Sequence, residues 1–455
     1  MTIAIVAILF VGFLLIATEK MNRMNSSAVA IFMGVTVWVL YVCMGADYLA
    51  AEHAVDFQTF QSTFTGEKSV KVFISEFVFL PYFIKTCSTV LFLFCTITIV
   101  EVLNNNRCFD FLQEWLYVGS PRKFLLLLTV FTALLSINLD NLTTSCLMLS
   151  MTHSLVSNSS LRRVYGFAII VTANIAGAVT VIGDVNSFTL WQNKLITPTH
   201  YTTAIILPCL VSLVVTLVLL LPLLPHHLST KYSLLPYRGD DKSLSRWQRL
   251  LMLVIGLGGL WFVPTFHRIT QFPPLMGAVC VLGVLLIVNE LCNRSFLSAD
   301  VMVRKRLPLA LQYANIQKML FFLGVSLSFG ALAETGVLSK LQTILPVFLN
   351  ENYTYAIGSG VFASIFNGMS AILANVSMAS TEALPITIDI SQNGAYWPLL
   401  SFSVAMGGCL LCIGTLEGLY LMTLEELPLK WYIKHCSWRV LVGWIAGLSV
   451  FLFIC

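Results

Sequence analysis

The sequence predicts an all-α polytopic membrane protein with about 11 transmembrane segments, two re-entrant hairpins and two inverted-topology repeats that each contain a broken helix. Three observations predict it: an apolar composition, long apolar runs separated by basic loops, and an internal similarity between two stretches interrupted by polar residues. The chain has 455 residues, 57% of them hydrophobic and 11% charged, and its mean hydropathy is +0.85. A soluble domain carries about 25% charged residues. The net charge of +4 is spread over loops, so membrane lipid is the expected partner and nucleic acid is not.

Taken in order, residues 1–75 form N-terminal scaffold helices, with apolar runs at 1–18 and 27–45. The first run has no basic region before it and no small-residue cleavage site after it, so it reads as a retained helix. Residues 46–71 are polar, lie outside and have no assigned role. Residues 76–192 form the first repeat, with a run at 76–103, a hairpin at 124–157 and a broken helix at 164–192. Scaffold and connecting helices fill 193–318, with runs at 203–226, 249–264 and 273–293. The second repeat is 319–424, with a run at 319–333, a hairpin at 353–388 and a broken helix at 398–424. Residues 425–455 add a loop and a last helix.

The hairpins follow from the charges. Lys and Arg favour the cytoplasmic side, and they cluster near 20–23, 107–123, 162–163, 231–246, 294–306 and 430–439. All these loops share one side only if 124–157 and 353–388 return to the side they left, which puts both chain ends outside. The repeat follows from residues. Ser136-Ile-Asn-Leu-Asp-Asn-Leu142 matches Ser370-Ala-Ile-Leu-Ala-Asn-Val376 at the serine, a leucine and the asparagine. Gly177 and Ile182-Gly183 match Gly408 and Ile413-Gly414. The first unit starts outside and the second inside, an inversion associated with secondary transporters that bind substrate near the midplane.

Within Thr172–Trp191, the glycines and the polar run to Ser187 break a membrane helix, which is tolerated only against protein or a wet cavity. Asp140 lies at the first hairpin and Asp184 at the first break. A membrane-centre charge costs at least about 2.5 kcal/mol, so each acid either caps a half-helix or binds an ion, and the two roles can coexist. Neutral oxygen donors surround them: Asn141, Thr143 and Thr144; Asn174, Thr180, Asn186 and Ser187; and, from the second repeat, Ser370, Asn375, Ser377 and Thr415. Such a shell suits a hard monovalent cation, although single hydroxyls also serve helix packing. Lys85, Glu101, His153, Glu334, Glu382 and Glu417 are weaker candidates, with Glu417 notable for lying two residues past Thr415. Cys409-Leu-Leu-Cys412 has redox spacing, but its intramembrane setting favours packing. The chain contains no H-E-x-x-H and no G-x-S-x-G motif, so no enzyme chemistry is indicated.

From about residue 76 onward the chain resembles the NhaD-type sodium/proton antiporters of the ion transporter superfamily. The resemblance is carried by Leu139-Asp-Asn-Leu-Thr-Thr144, Ala173-Asn174, Gly183-Asp184-Val185, Leu190-Trp191, Phe272-Pro-Pro-Leu-Met-Gly277, Phe321-Phe-Leu-Gly324, Gly330-Ala-Leu332 and Trp431-Tyr432. It implies exchange of Na⁺ or Li⁺ for H⁺ without a resident cofactor, a homodimer, and a place in the bacterial cytoplasmic (inner) membrane. Carried residue by residue, Asp140, Asn141, Asn174, Asp184, Ser370 and Asn375 match positions expected to matter, with Na⁺ placed at Asp140, Asp184, Asn141 and Asn375. The chain departs from the pattern at Ala374, where the family has an aspartate, and at Asn186 and Ser187, where it has threonines. The expected mechanism is competition of cation and protons for Asp184 and Asp140. The rival keeps the fold and carries an anion such as a dicarboxylate, sulfate or arsenite.

Overall fold

The computed structural model describes residues 2–18, 24–44, 53–63, 69–225, 244–297, 314–335, 337, 351–380, 384–385 and 387–454. Every regular element among them is helical. In chain order the helices are α1 (Thr2–Ala17), α2 (Ser26–Met44), α3 (Ala54–Thr63), α4 (Val70–Asn105), α5 (Asp110–Leu116), α6 (Pro121–Ser136), α7 (Asn141–Leu155), α8 (Ser159–Gly177) and α9 (Val185–Gln192). They continue as α10 (Pro198–Leu223), α11 (Arg246–Thr270), α12 (Pro274–Leu297), α13 (Ala314–Ala333), α14 (Glu351–Phe366), α15 (Gly368–Ser380), α16 (Tyr396–Gly408), α17 (Leu416–Leu424) and α18 (Leu429–Phe453). Seven are long and apolar enough to cross a membrane: α2, α4, α10, α11, α12, α13 and α18. The chain is thus an all-helical, multi-pass membrane protein.

Local sequence explains where several helices begin. Pro121 and Pro198 open α6 and α10, where a missing N–H costs nothing. Ser245 and Gln248 form a reciprocal capping box at the start of α11. Large apolar side chains such as Phe10, Phe32, Trp247, Trp261, Ile287 and Phe453 point outward, as expected where lipid is the solvent. Buried hydroxyls and amides collect inside the bundle instead.

Polar contacts join segments that are distant in the sequence. Asn106 donates to Asn289 (2.8 Å), Ser27 to the Gln317 carbonyl (2.7 Å), and Arg162 to Glu425 (2.8 Å). Likewise Lys85 donates to Asn193 (2.9 Å), Asn393 N–H to the Leu195 carbonyl (2.8 Å), and His53 pairs with Glu334 (2.8 Å).

The α6–α7 pair doubles back. Tyr165 in α8 donates to the carbonyl of Pro121 at the start of α6 (3.3 Å), while His153 near the end of α7 shares Glu425 with Arg162 of α8. Both ends of the pair therefore lie beside the start of α8.

The second pair has a register unlike the sequence match. It turns at Asn367, whose φ of 87° is left-handed and whose side chain accepts from Met369 N–H (3.0 Å). Ser370 and Asn375 therefore sit within α15, past the turn, whereas Asn141 opens α7. In place, the counterpart of Asp140 is Asn367 and not Ala374. The physical reason is that a single asparagine tolerates the left-handed turn, whereas Ala371-Ile-Leu-Ala374 is a good helix-forming run that continues through the expected tip. Glu382 lies outside the described residues.

Candidate ion site at the two helix breaks

The two breaks are built alike. Residues 178–184 join α8 to α9, and residues 409–415 join α16 to α17. Each connection ends on an extended residue before the next helix, Asp184 at φ −135°, ψ 141° and Thr415 at φ −135°, ψ 146°. The carbonyl released at each helix end is taken up by a tyrosine. Tyr201 Oη donates to Ala178 O (2.6 Å) and Tyr432 Oη to Cys409 O (2.5 Å), each from 23 residues downstream. Ser187 Oγ bonds Thr180 O (2.7 Å), and Ser437 Oγ bonds Leu410 O (2.5 Å). Buried backbone groups must find partners, and these side chains supply them.

The glycines admit neighbouring backbone. A Cβ on Gly183 would lie 2.5 Å from Ser136 O and 2.7 Å from Gly177 O, and one on Gly414 would lie 2.5 Å from Ala363 O and 2.9 Å from Gly408 O. Each break is thus pressed against the turn of a helix pair, the first against α6–α7 and the second against α14–α15. Ser136 Oγ ties the first turn down, donating to Ala173 O (2.6 Å) and lying 3.0 Å from Asn141 Oδ1, and Thr180 donates to Ile137 O (2.6 Å).

The two acids behave differently. Asp140 is the N-cap of α7, accepting from the Thr143 N–H and hydroxyl (both 3.2 Å), as the capping reading expects. Asp184 holds the same position before α9 but makes no capping hydrogen bond. Its Oδ2 accepts from the Asn186 side chain (2.7 Å).

A cavity of about 30 Å³ lies between the breaks, lined among others by Asn141, Asn174, Asp184, Asn186, Lys318, Asn367, Thr415 and Glu417. A water needs roughly 10–15 Å³ measured in the same way, so the space suits a water or two or a partly dehydrated ion. Among the described residues Asn186 Oδ1 is buried without a partner, and Asn174 commits its amide nitrogen to Ile170 O (3.0 Å). Asn141, Asn174, Asp184, Asn186 and Thr415 are therefore brought together, as the sequence expects.

The other anticipated residues stand apart from this cavity. Thr143 serves Asp140, Ser187 serves the backbone of the break, and Thr144 and Ser370 are buried with hydroxyls unpartnered among the described residues. Asn375 donates to Ser359 (2.8 Å) and Ala371 O (2.8 Å) and accepts from Tyr396 (2.5 Å). Cys409 and Cys412 are buried inside the second break, where the Cys412 thiol donates to Gly418 O (3.3 Å).

Two charged residues complete the site. Glu417, in the first turn of α17, is buried and faces the cavity. Lys318 of α13 is only 5% exposed and forms an ion pair with Asp140. Its ammonium is also within electrostatic reach of Glu417 and Asp184. Sequence reading passed over Lys318, although a lysine inside an apolar span is a functional signal in itself. A larger cavity of about 460 Å³ opens elsewhere, lined by Trp191, Lys194, His267 and Arg268; none of the anticipated site residues lines it.

A family model described as "Citrate transporter" matches residues 13–407. The chain is 28% identical to sodium/proton antiporter 2 of Arabidopsis thaliana, covering 98% of each chain. It is 27% identical to the Na⁺/H⁺ antiporter NhaD of Vibrio parahaemolyticus over 78% of this chain and 86% of that one. The NhaD of Alkalimonas amylolytica is 22% identical over 99% of this chain and 90% of its own. The resemblance to NhaD-type antiporters is borne out, and these relatives are all named as transporters. Matched over most of its length and related throughout to named antiporters, the chain belongs to the citrate transporter family.

Proposed function

We propose that this protein exchanges Na⁺, or Li⁺, for H⁺ across a membrane, the cation and protons competing for the carboxylates at the helix breaks. The observation that carries the reading is the charge of the small cavity. Two buried acids, Asp184 and Glu417, line it beside one buried ammonium, Lys318, which pairs with a third buried acid, Asp140, outside the lining. Fully ionised, the group carries two net negative charges, which favour a cation and repel an anion. Proton uptake removes that attraction and releases the cation.

The ligands we assign are Asp184 and Glu417, with amide oxygens from Asn141, Asn174 and Asn186. This matches the mixed oxygen shell that hard cations prefer. Of the four positions anticipated for Na⁺, Asp140 is engaged by Lys318 and Asn375 by Tyr396, Ser359 and Ala371. The matched breaks and their tyrosines support two inverted repeats, 76–192 and 319–424, rocking about a shared site, with re-entrant α6–α7 and α14–α15 pairs. We infer a homodimer in the bacterial cytoplasmic membrane, as the resemblance to the NhaD-type antiporters implies.

A second reading has its own observation. The 460 Å³ cavity carries Lys194, His267 and Arg268, which suits an anion such as the carboxylate cargo that the family description names. Proteoliposomes with a preset pH gradient separate the two. Dissipation by Na⁺ or Li⁺, lost in Asp184→Asn, supports exchange. No response to any alkali cation, together with uptake of citrate or succinate, supports the anion.

A further inference from the structure

Lys318 has no packing reason to be charged. It lies on a membrane-spanning helix, 5% exposed, and pairs with a carboxylate that is itself 5% exposed. A buried ion pair is a poor way to join two helices, because apolar replacements of similar volume serve equally well or better. Asp140 already has a structural partner in Thr143, so capping α7 does not require a lysine. The ammonium instead stands in the same electrostatic neighbourhood as Asp184 and Glu417, at the edge of a cavity with room for one small ion.

We propose that Lys318 is a tethered cation that occupies Asp140 throughout the cycle, so that the transported cation and its competing protons are held by Asp184 and Glu417 alone. This rests on the exchange reading and deepens it. Lys318 is then a positioning and selectivity residue: it cancels one of three acids and leaves a site charged for one monovalent ion. Two consequences follow from charge. With Asp140 neutral, the freed ammonium turns toward Asp184 and Glu417 and displaces the transported cation. With Lys318 neutral, Asp140 becomes a third exchanging acid and adds a proton to the count. Removing both charges leaves the two exchanging acids as they were.

The test is a charge cycle in the full-length reconstituted protein, reading cation-driven proton release and the ion-to-proton ratio from the reversal potential. Asp140→Asn is expected to weaken the apparent Na⁺ affinity by about tenfold or more. The double variant Asp140→Asn/Lys318→Gln is expected to recover it to within about threefold, with the wild-type ratio. A folded double variant as inactive as Asp140→Asn, beside an active wild type, overturns the proposal and makes Asp140 a direct ligand. A wild type without cation-driven proton release overturns the exchange reading and this proposal together. The wild-type protein gives a second measurement that needs no variant to fold. A carbodiimide, which attacks protonated carboxyls, is expected to label Asp184 and Glu417 in a Na⁺-protectable manner and to leave Asp140 unlabelled. Na⁺-protectable labelling of Asp140 contradicts the proposal.

Discussion

The two helix breaks share a backbone and differ in chemistry. Both place an extended residue ahead of the second half-helix, both rest their glycines on the turn of a helix pair, and both hand a freed carbonyl to a tyrosine. At the first break the cap position holds Asp184, which leaves capping undone and turns to the cavity. At the second it holds Thr415, whose hydroxyl caps α17 by accepting from Gly418 N–H (3.1 Å), while Glu417 provides the charge two residues later. One scaffold therefore delivers a carboxylate by two routes. In the first the cap is surrendered to function, and in the second structure and function are divided between neighbouring residues.

The sharpest way to break this comparison is to neutralise the acids separately. Asp184→Asn should abolish cation-driven proton release in proteoliposomes while leaving thermal unfolding nearly unchanged, because Asp184 makes no capping bond. Glu417→Gln should leave exchange detectable but weaken the apparent Na⁺ affinity by about tenfold and lower the protons moved per cation by one. Equal loss in the two variants would remove the distinction between the acids.

The shared backbone is tested by the glycines. Gly183→Ala and Gly414→Ala each drive a methyl into a carbonyl at 2.5 Å, and overpacking of this kind costs about 1–3 kcal/mol. Similar drops in unfolding temperature are expected in detergent. A large effect at one break and none at the other would count against equivalent construction.

Smaller effects separate the caps and the tyrosines. Thr415→Val should cost about 1 kcal/mol through the lost cap and leave the ion-to-proton ratio intact. Tyr201→Phe and Tyr432→Phe should each cost about 0.6–1.7 kcal/mol, the range of hydrogen bonds inside membranes. Purified variants compared by thermal unfolding would rank these changes.

Much of this was legible in the sequence. The broken helices followed from glycines and polar residues inside apolar runs, and Asp184, Asn186, Asn174, Asn141 and Thr415 do meet at one cavity. Lys318 was missed because a lone lysine near the start of an apolar run reads as part of the basic cytoplasmic loop before it. Its burial depends on the α7 N-terminus lying beside α13, a contact no local pattern encodes. The second helix pair misled because Ser370 and Asn375 repeat the spacing of Ser136 and Asn141, although Asn367 makes the turn. Identical spacing in two stretches does not fix where the backbone reverses.

The most direct measurement of the central claim is Na⁺ binding to the purified protein by titration calorimetry in two buffers of different ionisation enthalpy, which counts the protons released per ion bound. The account predicts that Na⁺ binding expels protons from the wild-type protein and that both binding and release disappear in Asp184→Asn. Na⁺ binding with no proton release, or release unchanged in that variant, would contradict competition at the breaks.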